Sequence, residues 1–260
     1  MAVIYTVSTN KGGSGKTSLV TNLAGAITKK LNKKVLIIDT DGQGNSSIAF
    51  GMKQPNDLEY TIYDVIMGDK KAEEVLWEVT PQLHIIPANK DMNFLEFDIL
   101  PHLSKYGNPF TLFKRAFEGL IDNYDYVFLD TPPSMGLVQG NALALADKVI
   151  IPFAPETFGV NGLINIVEGV TDFKNNHNPN LKIEGVVGMM VKTRTWLHSA
   201  LLQEARKYCM ENGINMYETI IPDSIRFANA TAEEGIPATW TKVKKNDVVN
   251  AYYDLLKEMI

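Results

Sequence analysis

The sequence predicts an α/β fold built on a mostly parallel, twisted sheet with helices on both faces. Three observations predict it. Short unbroken apolar runs, Val35 to Ile38 and Tyr126 to Leu129, have the pattern of strands buried on both sides. Such runs alternate with longer helical patterns, the order that gives parallel pairing. A glycine-rich turn joins the first run, Ala2 to Val7, to the first long helix.

In chain order, the pattern gives a strand at about 2–8, a helix over 16–31 and a strand over 34–38. A less regular segment follows to about residue 80. Within it, Thr61 to Met67 reads as a short helix capped by Thr61 and closed by Gly68. Leu83 to Ile86 is a strand. Apolar residues at 112, 113, 116, 117, 120 and 121 mark an amphipathic helix from Thr111 to Ile121. Strands follow at 126–130 and 148–152, a helix near 159–174, a strand at 183–191, a helix near 197–211 and a strand near 217–221. A last helix covers about 247–259. No repeat, low-complexity tract or linker interrupts this order, so one domain over residues 1–260 is expected.

Composition narrows the class. A chain of 260 residues buries one large core, and 45% hydrophobic with 21% charged residues is ordinary for a globular protein. A formal charge of −5 argues against a generally basic nucleic-acid protein. No apolar run approaches the roughly 18 residues of a membrane helix, and the N-terminus lacks a signal-type segment. One cysteine, Cys209, excludes an internal disulfide and fits a reducing, cytoplasmic setting, where it reads as a buried structural thiol.

The densest chemistry lies in Asn10-Lys11-Gly12-Gly13-Ser14-Gly15-Lys16-Thr17-Ser18. Glycines let successive N–H groups turn inward on an anion, and the helix beginning near Lys16 adds its positive end. Lys16 reaches β- and γ-phosphates and the Thr17 hydroxyl holds Mg²⁺, which makes this an ATP-type site over residues 11–18. The pattern G-x-x-x-x-G-K-[ST] is not met, because Asn10 stands where its first glycine belongs. An extra lysine, Lys11, follows instead. Either it is a solvated loop lysine, or it reaches the nucleotide of a second subunit and makes dimerisation depend on ATP. A dinucleotide site is the rival reading, from Gly13-x-Gly15, but its third glycine position is Ser18 and it has no use for Lys16-Thr17.

Two further apolar runs end in carboxylates. Val35 to Ile38 leads into Asp39-Thr40-Asp41-Gly42-Gln43-Gly44-Asn45, and Tyr126 to Leu129 into Asp130-Thr131-Pro132-Pro133-Ser134. Carboxylates at the C-terminal ends of parallel strands face the crevice where ligands bind. Asp130 suits the Mg²⁺ shell, through a water, and Asp41 suits positioning or activating the attacking water. Singly, each would read as a helix cap or turn former.

Together, the Lys11–Thr17, Asp39–Asn45 and Asp130–Pro133 segments resemble the deviant Walker ATPases, which have the P-loop NTPase fold. The branch they resemble is that of the ParA/Soj partition proteins. The likeness continues through Ile151-Pro152-Phe153-Ala154-Pro155-Glu156, Lys192-Thr193-Arg194-Thr195 and Ile220-Ile221-Pro222-Asp223-Ser224-Ile225-Arg226, so it spans nearly the whole chain. It implies catalytic roles for Lys11, Lys16 and Asp41 and nucleotide contacts from Gly12, Gly13, Ser14, Gly15, Thr17 and Ser18. It also implies a base-side loop at Pro222 and Ser224, an ATP-dependent sandwich homodimer, a nucleoid location and stimulation by a ParB-like centromere-binding protein. Two positions depart from the family: Gly42 replaces a usual proline, loosening the loop around Asp41, and Ser224 replaces an asparagine near adenine. Reductases resembling the nitrogenase iron protein are excluded, because they need two cysteines per subunit.

With the phosphate loop starting at residue 10, no N-terminal helix-turn-helix is expected, and hence no sequence-specific operator binding. Non-specific DNA binding would need a local basic patch. Lys192, Arg194, Arg206, Lys207, Arg226, Lys242, Lys244 and Lys245 supply one in the last third of the chain. Of these, Arg194 and Arg226 match positions where Soj-like proteins place DNA-contacting arginines, and Lys242, Lys244 and Lys245 form a basic cluster. A MinD-like membrane role is the alternative within the superfamily. The C-terminal segment opposes it, since Asp254 and Glu258 accompany a single lysine and no membrane partner is expected. A small-molecule kinase or ligase is the alternative from another class, and only Glu156 and region 92–108 offer material for its second pocket.

Overall fold

Successive residues along the central strands point into two different apolar layers, and that alternation organises the molecule. In the computed structural model, which describes residues 1–156 and 159–260, β1 (Val3–Val7), β2 (Val35–Asp39), β3 (Trp77–Thr80) and β4 (Leu83–Ile86) share one sheet with β5 (Tyr126–Asp130), β6 (Lys148–Phe153), β7 (Lys182–Val191) and β8 (Met216–Pro222). The order is β3-β4-β2-β5-β1-β6-β7-β8, and every pairing is parallel except β3 with β4. The expected α/β fold, mostly parallel and covered on both faces, is what forms.

Leu36, Ile38, Val127 and Leu129 enter one layer; Val35, Ile37 and Phe128 enter the other. The second layer is covered by α1 (Lys16–Leu31) and the last helix. The first is covered by α2 (Ile62–Met67), α3 (Leu112–Ala116), α4 (Leu137–Leu145), α5 (Gly159–His177) and α6 (Trp196–Glu211). The last helix, α7 (Asn250–Met259), buries Tyr252, Tyr253, Leu255 and Leu256. Each fully buried aliphatic side chain contributes about 1.5–3 kcal/mol relative to exposure. Since α7 turns its apolar face into this core, it does not have the free apolar face of a membrane-surface helix. Among the described residues, no helix is long and apolar enough to cross a membrane.

Several elements differ from the sequence reading. The helix expected over Thr111 to Ile121 is only Leu112–Ala116; the chain leaves it through Gly119, at φ 80°. The last helix begins at Asn250 rather than 247, because Asp247 caps a preceding turn by accepting from the Val249 N–H at 3.1 Å. β3 was not expected, being only four residues, Trp77-Glu78-Val79-Thr80, half exposed on the sheet edge. Neither was α4, which is buried nearly all round and so lacks the polar face that marks an amphipathic helix. Short helices at Asn45–Ile48, Ala72–Val75, Leu95–Ile99, Leu103–Tyr106 and Ile225–Asn229 were not expected either, and the remaining strands and longer helices fall within a few residues of expectation.

Register sets the position of the site. Val7 on β1 and Asp39 on β2 both lie opposite Asp130 on β5. The three loops that follow these strands therefore leave the sheet at one level, side by side.

Candidate phosphate site

Glycines shape the turn after β1. Gly13 and Gly15 have φ of 69° and 84°, a left-handed backbone open mainly to glycine. At Gly15 a Cβ would also lie 2.9 Å from Cε of Met189. Because α1 starts from Gly15, the free N–H groups of its first turn and its positive end face the loop. Ser14 Oγ and Lys16 Nζ both donate to the Lys11 carbonyl, at 3.1 Å and 3.4 Å. Lys16 is buried; burial pushes its pKa down, while Asp130 and Asp41 oppose the shift. An ammonium stripped of water in this way is a strong partner for phosphate.

Behind the turn stand two buried carboxylates in cross-strand register. Asp39 accepts from the N–H groups of Asp41 at 3.1 Å and Ser46 at 3.0 Å, so it clamps both ends of the loop between them. Burial, and then the charge of Asp130, push the Asp39 carboxyl well above the usual range; its two backbone hydrogen bonds oppose this. Burial also pushes Asp130 up, to about 6, against the pull of the Thr17 and Ser46 hydroxyls and Lys16. Ser46 Oγ donates to Asp130 Oδ2 at 2.8 Å. Asp130 Oδ1 is buried and has no partner among the described residues. An orphaned carboxylate oxygen close to a hydroxyl fits a small hard cation that takes oxygen ligands and keeps waters and phosphates in its shell.

In front lies an open cavity of about 910 Å³. Residues 12–18 floor it, Asp41, Gly42, Gln43 and Asn45 form one wall, and Pro132, Pro133 and Ser134 another. Thus Gly12, Gly13, Ser14, Gly15, Lys16, Thr17, Ser18 and Asp41 come together. Asp41 is half-buried; its Oδ1 accepts from the Gln43 N–H at 3.0 Å, which folds the loop back on itself. Ser18 Oγ shares a 2.9 Å hydrogen bond with the Tyr252 hydroxyl, tying α7 to the floor of the site.

The remaining expected residues lie elsewhere. Lys11 turns its ammonium to the Glu156 carboxylate after β6, and both side chains are about half exposed. This pairing holds the Glu156 carboxyl below its usual range. Pro222 ends β8 opposite Val191, and Ser224 caps a short helix by accepting from the Arg226 N–H at 3.3 Å; neither lines the cavity. Arg194 is exposed on the turn after β7, and Lys242, Lys244 and Lys245 are exposed near the C-terminus. Arg226 adjoins that basic segment but is engaged there by the Thr241 hydroxyl and by Asp247, at 3.7 Å. Cys209 is buried, which pushes its thiol up to about 11.

Sequence reading gave no role to Asp39, Ser46, Lys90 or Met190, and placed Asn93 only within a region offering material for a second pocket. Asp39 was signalled by its place at the end of an apolar run. Lys90, Asn93 and Met190 complete the cavity, and no local pattern marks them. Met190 departs from strand geometry with φ 53°, unusual for a residue other than glycine.

Residues 1–183 match the family model described as an AAA domain. The chain is 33% identical over 260 residues to the sporulation initiation inhibitor protein Soj of Bacillus subtilis, covering 100% of this chain and 98% of that one. It is 32% identical over 226 residues to the chromosome partitioning protein ParA of Myxococcus xanthus, covering 86% and 77%. In fold it is similar to cobyrinic acid a,c-diamide synthase of Mycobacterium smegmatis, crystallised with an ATP analogue and magnesium. That similarity has a TM-score of 0.83 at 24% identity, covering 99% and 93%. The same architecture thus serves different chemistries, and the sequence relatives, not the fold, narrow the family.

Proposed function

Because this chain belongs to the ParA/Soj family of ATPases, we propose that it is a DNA-partition ATPase whose homodimer forms on ATP and comes apart on hydrolysis. One observation carries the reading. The second lysine of the phosphate loop, Lys11, lies outside its own cavity, half exposed and paired with a surface carboxylate. A surface ion pair of this kind is worth about 0–1 kcal/mol, so a triphosphate presented by a second subunit would readily displace Glu156.

In this reading the 12–18 turn and the α1 N-terminus bind the phosphates of ATP, and Lys16 neutralises them from within the same subunit. Thr17 and, through a water, Asp130 would hold magnesium, which when bound offsets the negative charge of the phosphates. Asp41 orients the attacking water from the cavity wall. Adenine lies toward the β7–β8 edge, near Met190, with Pro222 and Ser224 one strand further out. All of residues 1–260 act as one domain.

Exposed Lys242, Lys244 and Lys245, with Arg226 beside them and Arg194 on a separate turn, form a basic surface completed across the dimer. Contacts of this type grip DNA phosphates whatever the sequence and weaken steeply with salt. Nucleoid DNA in the cytoplasm is then the matrix, and a ParB-like protein is the partner that stimulates hydrolysis.

Light scattering with ATP and magnesium tests the carrying observation. Lys16→Ala loses nucleotide binding. Lys11→Ala keeps binding in the monomer but forms no dimer; a dimer of undiminished stability would overturn the cross-subunit role.

A further inference from the structure

The Asp41 loop is braced by backbone ties, among them the Gln43 N–H on Asp41 Oδ1 at 3.0 Å, but Gly42 brings no side chain to it. Asp39 ties the Asp41 and Ser46 N–H groups, and Gly44 donates to the Asp41 carbonyl at 2.9 Å. Between these ties stands Gly42, a residue with no side chain to hold it. Its φ is not in the positive region, so backbone geometry does not demand glycine there.

Space does. A Cβ on Gly42 would meet the Asn93 amide, 2.5 Å from Oδ1, 2.8 Å from Cγ and 2.9 Å from Nδ2. The Asn93 side chain occupies the volume that residue 42 leaves empty, and both residues line the 910 Å³ cavity.

What carries Asn93 is firm. It lies on the short 3₁₀ turn Lys90–Phe94, whose N-cap, Asn89, accepts from the Asp91 N–H at 3.1 Å. Met92, just before it, and Leu95, two residues after it, are buried in the core. The next turn is tied to the start of α4, because the Leu137 N–H donates to Glu96 Oε1. Asn93 itself is exposed, so its amide is not a core contact and serves no packing need of its own turn.

We propose that Asn93 is a positioning residue. Seated against the bare backbone of Gly42, its amide holds the Asp41 loop at the height from which Asp41 addresses the γ-phosphate water. The proposal rests on the reading of Asp41 given above. A rigid element thus supplies from outside the stiffness that a side chain at 42 would otherwise give the loop.

ATP turnover with saturating DNA, together with nucleotide affinity and thermal unfolding, tests this in the full chain. Asn93→Ala lowers kcat by about 10- to 100-fold, the upper figure being the scale of a 1 Å displacement of a catalytic group, and leaves KM and the unfolding temperature unchanged. Asn93→Leu, nearly the same shape, keeps kcat within about threefold of the parent, because the seat is steric. Gly42→Ala alone pushes the Asn93 amide from its seat and lowers kcat about as much as Asn93→Ala does. Combining Gly42→Ala with Asn93→Gly relieves the collision, so the double variant is no worse than Gly42→Ala alone, a strong departure from independence.

Asp41→Ala is measured alongside. Normal kcat in Asn93→Ala while Asp41→Ala is inactive would overturn the inference and spare the Asp41 assignment, as would losses at 42 and 93 that simply multiply. Normal turnover in Asp41→Ala would overturn both.

Discussion

Side chains here are set by what surrounds them more than by what they are. Asp39 and Asp130 end neighbouring strands in register, and burial pushes both carboxyls up; a cation beside them would restore their charged forms. His84 shows the opposite effect away from the site. Its Nδ1 shares a 2.7 Å hydrogen bond with the Tyr124 hydroxyl, and its Nε2 is buried without a partner among the described residues. Burial lowers its pKa, opposed by Glu78 and assisted by Lys34. The unfolded chain, with an ordinary value of about 6.5, then takes up the proton more readily than the folded chain. The stability His84 contributes is therefore present above about pH 6.5 and lost as the pH falls through the lower folded value. Urea unfolding of the parent and of His84→Gln on both sides of that pH checks this: the parent's advantage shrinks in acid, and a constant difference would contradict it.

At the scale of elements, local signals succeeded where they were self-contained. α2 carries a complete capping box: Thr61 Oγ1 accepts from the Tyr63 N–H at 3.3 Å and Asp64 Oδ2 from the Thr61 N–H at 2.7 Å. Gly68 closes it at φ 89°. Thr61→Ala should cost about 1 kcal/mol, seen as a lower urea midpoint at unchanged slope, with Thr61→Ser losing less. Elements were misread where packing decided them. The 111–121 pattern is amphipathic, yet the helix ends at Ala116, because Phe117 and Leu120 are buried through a turn at Gly119 rather than along a helical face. Conversely, α4 is surrounded by apolar neighbours and shows no periodicity to read.

Over the whole molecule, the C-terminus is joined to the phosphate loop. Leu255 is fully buried between α1 and the sheet. Glu258 accepts from the Glu218 and Thr219 N–H groups of β8 at 2.8 Å and 2.9 Å. With Tyr252 bonded to Ser18, loosening α7 loosens the floor of the cavity. Leu255→Ala should cost about 2–5 kcal/mol in denaturant unfolding and weaken nucleotide binding, whereas exposed Met210→Ala should change neither. The sequence alone determined the glycine turn, the Lys16-Thr17 pair, the apolar strands and the carboxylates that end them, since each is written in consecutive residues as a spacing or a period. Only the tertiary structure decided that Asp39 faces Asp130, that Lys11 meets Glu156 across 145 positions of chain, that Arg226 is already engaged, and that Asn93 rests on Gly42. The physical reason is that these contacts follow from strand order and register, which are settled by burying two apolar layers at once and are encoded in no single segment.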